Sequence, residues 1–417
     1  MDLMRKLSFL VFLLCLLISL KKENAETKKG FRTITHSPSD SPSILVAPSM
    51  SRSIFFSKIA KKPEDIGNPR PLEYDFYRKS CPQAEKIIRS KVRSLYEVRS
   101  DVAPALLRLV FHDCFIEGCD ASVLLDAVDG IDSEKESPPN ETLKGFDLID
   151  MIKSQLEEAC PGVVSCADIL VLGARESVVL VNISLSLSLC GLLSYLGLNL
   201  EFQAGGPFYP LQTGRRDSTL SFSEVATYEL PNPQNDLPQI VASFASRGFN
   251  ERETVSLLGA HSIGTIHCRF ILNRLYNFGG TDEPDPTLDP QFLDLLRSKC
   301  NDSHTSLSPS PLLSPSSDDG SASRSSSSQE PGVEMDYQGR GSGFGSLYYR
   351  GLLESKGILY VDQQLTAEEK TEAWVRAYAS DDSLFGRDFA RAMMKLSNLG
   401  LLTGPMGQVR ISCSKVA

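Results

Sequence analysis

The run Ala105-Leu-Leu-Arg-Leu-Val-Phe-His-Asp-Cys-Phe-Ile-Glu-Gly-Cys-Asp-Ala-Ser122 constrains this chain more than any other stretch. At helical spacing Arg108, Phe111 and His112 stand at i, i+3 and i+4, so a guanidinium, an aromatic ring and an imidazole share one helix face. Pro104 is tolerable in the first turn of that helix. Directly after it, Asp113, Asp120 and Ser122 supply side-chain oxygens around a turn that Cys114 and Cys119 are placed to close, and hard oxygens crowded together suit calcium. Each piece alone has a plainer reading: a histidine beside an apolar run is usually a core residue, and Asp-rich turns are usually only solvated. The two features abut, which favours chemistry over packing.

The early Arg5-Lys6 pair and the apolar run Leu7–Leu20 read as a secretory signal, too short for a membrane span. The signal is assigned to residues 1–25 and a flexible Ser-, Pro- and Lys-rich leader to residues 26–70. Of ten cysteines, Cys15 falls in the signal and Cys190 in an insertion, which leaves eight for disulfides in an oxidising compartment. Eight cysteines allow about 105 pairings, and spacing alone does not choose among them. A net charge of −9 argues against nucleic acid as a partner. With 41% hydrophobic residues over 417 positions, the chain can bury a large core.

From Leu72 onward the pattern is mostly helical. A helix is expected through Ile87, Ile88, Val92 and Leu95, then the Arg108–His112 helix, a loop over 133–140, and helices over 146–159 and from Cys166 to about Leu180. Asn140 heads an Asn-Glu-Thr glycosylation sequon. Gly214–Asp217 and Leu230–Pro233 read as extended or loop segments. A helix carrying His261 is expected over Glu251–Ile266, and further helices around 367–379 and 388–396. Two segments interrupt the pattern. Residues 181–203 alternate Ser and Leu around Cys190, and residues 301–333 form a Ser/Pro-rich tract unable to make a core.

The Arg108–Ser122 run resembles the distal signature of the class III secretory plant peroxidases. So does Val255-Ser-Leu-Leu-Gly-Ala-His-Ser-Ile-Gly264, with Cys268-Arg-Phe270 after it, for the proximal signature, and the likeness extends over most of residues 72–417. Removing 181–203 joins Leu180 to Ala204-Gly-Gly-Pro207 as the family reads. The segment is therefore interpreted as a retained in-frame intron, with a membrane or partner hairpin as the rival.

The resemblance implies a mainly α fold, the plant haem-peroxidase fold, with haem b sandwiched between distal and proximal helical halves of a domain spanning 71–417. It implies His112 as acid–base group, Arg108 as the cation that assists O–O cleavage and Asn140 as the amide orienting His112. His261 would be the axial ligand with Asp362 behind it, Phe111 would line the haem and Pro231 would contact the donor. Disulfides carry over as Cys81–Cys160, Cys114–Cys119, Cys166–Cys413 and Cys268–Cys300; zinc on Cys114, Cys119 and His112 is the disfavoured rival. Asp168 and Arg215 resemble a buried structural ion pair of the family.

A distal calcium is implied at Asp113, Ile116, Gly118, Asp120 and Ser122. At the proximal calcium, Ser262 and Asp336 stand at ligand positions, but Gly345 replaces an aspartate, so weak binding is expected there. The implied function is a secreted monomer, in the wall or vacuole, that reduces hydrogen peroxide and oxidises small phenolic donors, with no nucleic-acid partner and no membrane association after signal cleavage. The rival is an impaired wall protein that keeps the fold.

Overall fold

In a computed structural model of the chain, residues 72–128, 130, 132–181, 207–300, 331–335 and 344–417 are described. The chain divides between Pro63 and Glu64, and every described residue belongs to the second unit. The expected signal, the leader, Asp336 and nearly all of both insertions lie outside the described residues.

Among the described residues the architecture is mainly α, as expected. Helices α1 (Ala84–Val98), α2 (Val102–Phe115), α3 (Phe146–Ala159) and α4 (Cys166–Val181) come first. The shorter α5 (Ser223–Glu229), α6 (Leu237–Ala245), α7 (Glu251–Leu258), α8 (Leu272–Tyr276) and α9 (Pro290–Lys299) follow. The chain closes with α10 (Ser346–Leu353), α11 (Tyr360–Gln363), α12 (Glu369–Ser380) and α13 (Asp382–Leu396). Strands β1 (Thr265–His267) and β2 (Gly332–Glu334) pair antiparallel, with Ile266 opposite Val333.

Apolar periodicity explains the central packing. On α1, Ala84, Ile88, Val92 and Leu95 recur at i, i+4, i+8 and i+11 and are all buried. That stripe meets α3 and α4, and α4 also packs against α2. Helix α4 is buried on nearly every side, which suits its almost continuous apolar sequence. Burying each Leu, Ile or Phe side chain contributes about 1.5–3 kcal/mol before conformational entropy is counted. In the C-terminal half, α10 packs on α12, and α13 on α7.

Polar anchors lock this core. Asp168 and Arg215 form a fully buried pair at 2.8 Å. The second Asp168 oxygen accepts from Tyr77 Oη and from the Gly214 amide, both at 2.7 Å, and Arg215 also donates to the carbonyls of Gln212 and Ser397. Each nitrogen of the guanidinium and each oxygen of the carboxylate thereby has a partner, which is what lets a buried ion pair be tolerated. Disulfides join Cys81–Cys160, Cys114–Cys119, Cys166–Cys413 and Cys268–Cys300, the pairing implied by the resemblance. With both sulfurs of Cys114 and Cys119 consumed, the zinc alternative is overturned.

Three expectations differ from the structure. The helix expected over Glu251–Ile266 ends at Leu258, and His261 sits instead on a 3-10 turn, Gly259–Ser262. Its start is set by a capping box in which Asn250 and Glu253 satisfy each other's backbone amides. After the 3-10 turn the backbone is already extended at Ile263, and Gly264, with a φ of +104°, then turns the chain into β1. The tract placed at 301–333 also extends too far, because Val333 is fully buried in β2 and Pro331 accepts a hydrogen bond from the Cys268 amide. Likewise Val181 belongs to α4 rather than to the first insertion.

Candidate active site

Helix α2 is buried except along one stripe. Asp101 at its N-cap, then Pro104, Arg108 and Phe111 keep partial exposure while their neighbours are enclosed, and the 3-4-3 spacing puts all four on one face. Phe111 is held by Phe115 and Phe244, at centroid distances of 4.7 and 5.9 Å. Opposite this face, Ala260, His261, Ile263 and Gly264 are also only half-buried. The two walls adjoin: an ideal Cβ at Gly264 would stand 2.9 Å from the Pro104 Cβ, and the Arg108 charge reaches His261. Paired open faces inside a closely packed protein are what an enclosed planar group requires, and haem fits the residues present.

The hydrogen bonds around His112 fix its tautomer. Asn140 Nδ2 donates to the Glu134 carbonyl at 2.8 Å, so Asn140 Oδ1 must face His112 Nδ1, 2.5 Å away. Nδ1 therefore carries the hydrogen and Nε2 the lone pair. That lone pair accepts from Arg108 Nε at 3.3 Å. The guanidinium is anchored by the Thr142 hydroxyl and carbonyl and by the Pro139 carbonyl, at 2.9–3.1 Å. Burial, followed by the Arg108 charge, pulls the His112 pKa down to about 3, against a smaller opposing effect from Asn140. The imidazole is thus a neutral base at physiological pH. Burial lowers Arg108 to about 10, which leaves it a cation. Asn140 is itself 2% exposed with both amide atoms engaged, so a glycan at its sequon is incompatible with the folded state.

On the other wall, His261 Nδ1 lies 2.8 Å from Asp362 Oδ1. Burial disfavours the imidazolium, but the charge and hydrogen bond of Asp362 outweigh it and raise the His261 pKa. Among the described residues Nε2 has no hydrogen-bond partner, and the side chain keeps 37% of its surface open. A histidine fixed by a carboxylate at one nitrogen and free at the other is arranged as a metal ligand. Pro231 follows α5 in a half-buried loop, and the Pro233 carbonyl accepts from the Val361 amide, which ties that loop beside Asp362.

The acidic turn behind α2 carries an oxygen-rich set of groups. Asp113 Oδ2 accepts from the Ala121 amide at 3.1 Å, but Oδ1 is buried without a partner among the described residues. Asp120 Oδ1 accepts from the Ser122 amide at 3.0 Å. Ser122 Oγ lies against Asp120 and Glu134, where it only partly opposes the rise that burial imposes on both, and among the described residues it has no hydrogen bond of good geometry. The Ile116 and Gly118 carbonyls each accept one turn hydrogen bond and keep a second lone pair. No three His, Cys, Asp or Glu side chains converge as a metal cluster among the described residues, so hydroxyl and carbonyl oxygens must complete the set. Burial and mutual repulsion raise Asp113, Asp120 and Glu134, the last two to about 6 and about 7. Uncompensated buried acids and an orphaned oxygen fit a hard divalent cation.

The proximal calcium set fits poorly. Ser262 Oγ is buried and has no partner among the described residues, and Asp336 lies outside them. At Gly345 the φ is +111°, and an ideal Cβ would stand 2.2 Å from Phe385 ring carbons. No carboxylate-bearing residue fits there, because an aromatic ring fills the space.

Glu134, Thr142 and Tyr348 escaped the sequence reading. Glu134 lies six residues before Asn140 in a run whose composition signals only a loop, and its carbonyl role is invisible in side-chain chemistry.

A family profile described as peroxidase matches residues 88–381, more than half of the chain. "Putative Peroxidase 48" of Arabidopsis thaliana is 52% identical over 355 residues, covering 82% of each chain. Peroxidase 57 of Arabidopsis thaliana is 37% identical over 344 residues, covering 82% of this chain and 92% of the relative. Peroxidase 5 of Vitis vinifera is 37% identical over 343 residues, covering 82% and 90%. Kinship of this extent, on a fold of this kind, places the chain in the class III plant haem peroxidases.

Proposed function

We propose that the peroxidase reaction of this chain is carried by His112, Arg108 and Asn140 on one side of the haem and by His261 and Asp362 on the other, with small phenols as reductants. When bound, the haem supplies the redox steps: two-electron reduction of hydrogen peroxide, then two one-electron oxidations of donor. His112 Nε2 takes a proton from peroxide and returns it to the departing oxygen. Arg108 turns its donors toward the charge that develops as the O–O bond breaks. Asn140 holds the tautomer that leaves Nε2 basic, and His261 Nε2 would hold the iron while Asp362 sustains its basicity.

The observation that carries this reading is the ordered sequence Glu134 carbonyl, Asn140 amide, His112 imidazole, which fixes one basic nitrogen beside Arg108 at the edge of the open face of α2. Pro231 is assigned to the donor edge, with its carbonyl accepting a phenol hydroxyl. Calcium is assigned to Asp113, Ile116, Gly118, Asp120 and Ser122, with weak or no binding at Ser262 and Asp336. Secretion accords with the four disulfides and with the class III relatives, and no described helix is long and apolar enough to cross a membrane. The impaired-protein alternative is not favoured, since the relatives are peroxidases and the chain carries every residue to which this reading gives a role.

The test is a Soret band on purified protein with guaiacol oxidation measured in wild type and His112→Ala. Haem uptake by both with activity lost by roughly 10²-fold or more in the variant supports the assignment. Equal activity in the two proteins overturns it.

A further inference from the structure

The Tyr348 hydroxyl donates to Asp362 Oδ1 at 2.9 Å, the same oxygen that faces His261 Nδ1 at 2.8 Å. Asp362 Oδ2 is buried and has no partner among the described residues, so both donors compete for one oxygen of a fully buried carboxylate. We infer that Tyr348 is a positioning residue that sets, through Asp362, how much imidazolate character His261 presents to the iron; this rests on the assignment of His261 as axial ligand.

The reasoning is electrostatic. A carboxylate oxygen accepting two hydrogen bonds spreads its charge over both, and each bond is weaker than it would be alone. Tyr348 thereby restrains the pull of Asp362 on the His261 Nδ1 proton. Its hydroxyl remains a donor because burial, and then the Asp362 charge, push its ionisation well above the ordinary tyrosine range. The placement follows from α10, which presents Tyr348 and Tyr349 side by side. Tyr349 is used differently, donating to the Val255 carbonyl on α7 at 2.9 Å. One tyrosine thus braces the helix leading to His261, while its neighbour addresses the carboxylate behind it.

The test uses haem-loaded protein and the variants Tyr348→Phe, Asp362→Asn and the double variant. Losing the phenol concentrates charge on Asp362 Oδ1, so Tyr348→Phe should lower the ferric/ferrous midpoint potential and raise the iron–histidine stretching frequency of the ferrous protein. Both shifts should shrink or vanish in the Asp362→Asn background, because the effect travels through the carboxylate. Tyr348→Phe that leaves potential and frequency unchanged, or shifts them equally in both backgrounds, overturns the inference. Wild-type protein without an iron–histidine band defeats the axial assignment itself, a separate outcome.

Discussion

Asn140 Oδ1 lies 2.5 Å from His112 Nδ1, and the amide cannot turn round because its nitrogen donates to the Glu134 carbonyl at 2.8 Å. Replacing Asn140 with Val removes the acceptor and frees His112 to adopt the other tautomer, whose Nε2 carries a hydrogen. The second-order rate of reaction with peroxide should fall by roughly 10²-fold, within the range of general acid–base effects. Stopped-flow mixing with hydrogen peroxide measures it, and a rate within twofold of wild type would show that the amide does not set the tautomer.

His112 should remain a competent base well into acid, since its folded pKa is about 3. The peroxide rate is therefore expected to stay flat from pH 7 to 4 and to fall only as pH approaches 3. The unfolded imidazole titrates near about 6.5, so between those values the unfolded chain holds the extra proton. The stability contributed by neutral His112 is complete above about pH 6.5 and is lost as pH falls toward 3. An acid limb with an apparent pKa near 6.5 would contradict this placement.

Metal removal should reveal the opposite slope. Without a cation, Asp113, Asp120 and Glu134 have raised folded pKa values, the last two about 6 and about 7, against unfolded values near about 4. The folded state then binds more protons across that window, so the metal-free protein should lose stability as pH rises from 4 to 7. Thermal melts of chelated protein at pH 5 and pH 7.5 check the sign: the lower Tm belongs at pH 7.5, and added calcium should restore it most there.

Position 345 should not accept a calcium ligand. Gly345→Asp forces a side chain into the Phe385 ring at a positive φ, at a cost of about 2–4 kcal/mol. Metal analysis should find one tightly held calcium per wild-type chain and no gain in the variant. Two tightly held ions in wild type would refute the reading.

Arg215→Leu should be strongly destabilising, by roughly 3–5 kcal/mol, because Asp168 would be left charged in the core. Chemical denaturation measures it. Asp168→Asn in the same background should recover part of the loss by removing the stranded charge.

The distal half was legible because its signals are local. The Arg108, Phe111 and His112 spacing is a helix pattern, and the helix over 146–159 was placed to the residue by its periodicity. The proximal half was less so. The apolar period through Val255–Leu258 continues in sequence past the point where Gly264 turns the chain, so the His261 turn and β1 looked helical. Strand β2 was hidden by the Ser/Pro composition before it, since three residues paired with a distant partner carry no period of their own. Roles played by carbonyls, as at Glu134, Pro139 and Thr142, depend on backbone position and leave no mark on residue type.

The Cys166–Cys413 bond spans 247 positions and passes over the whole stretch between Cys300 and Pro331. A single proteolytic cut anywhere in that stretch would leave two fragments still tethered as one covalent molecule. Such a nicked chain would run as one band until reduced. Its strands β1 and β2, and His261 and Asp362 on either side of the cut, would keep their places.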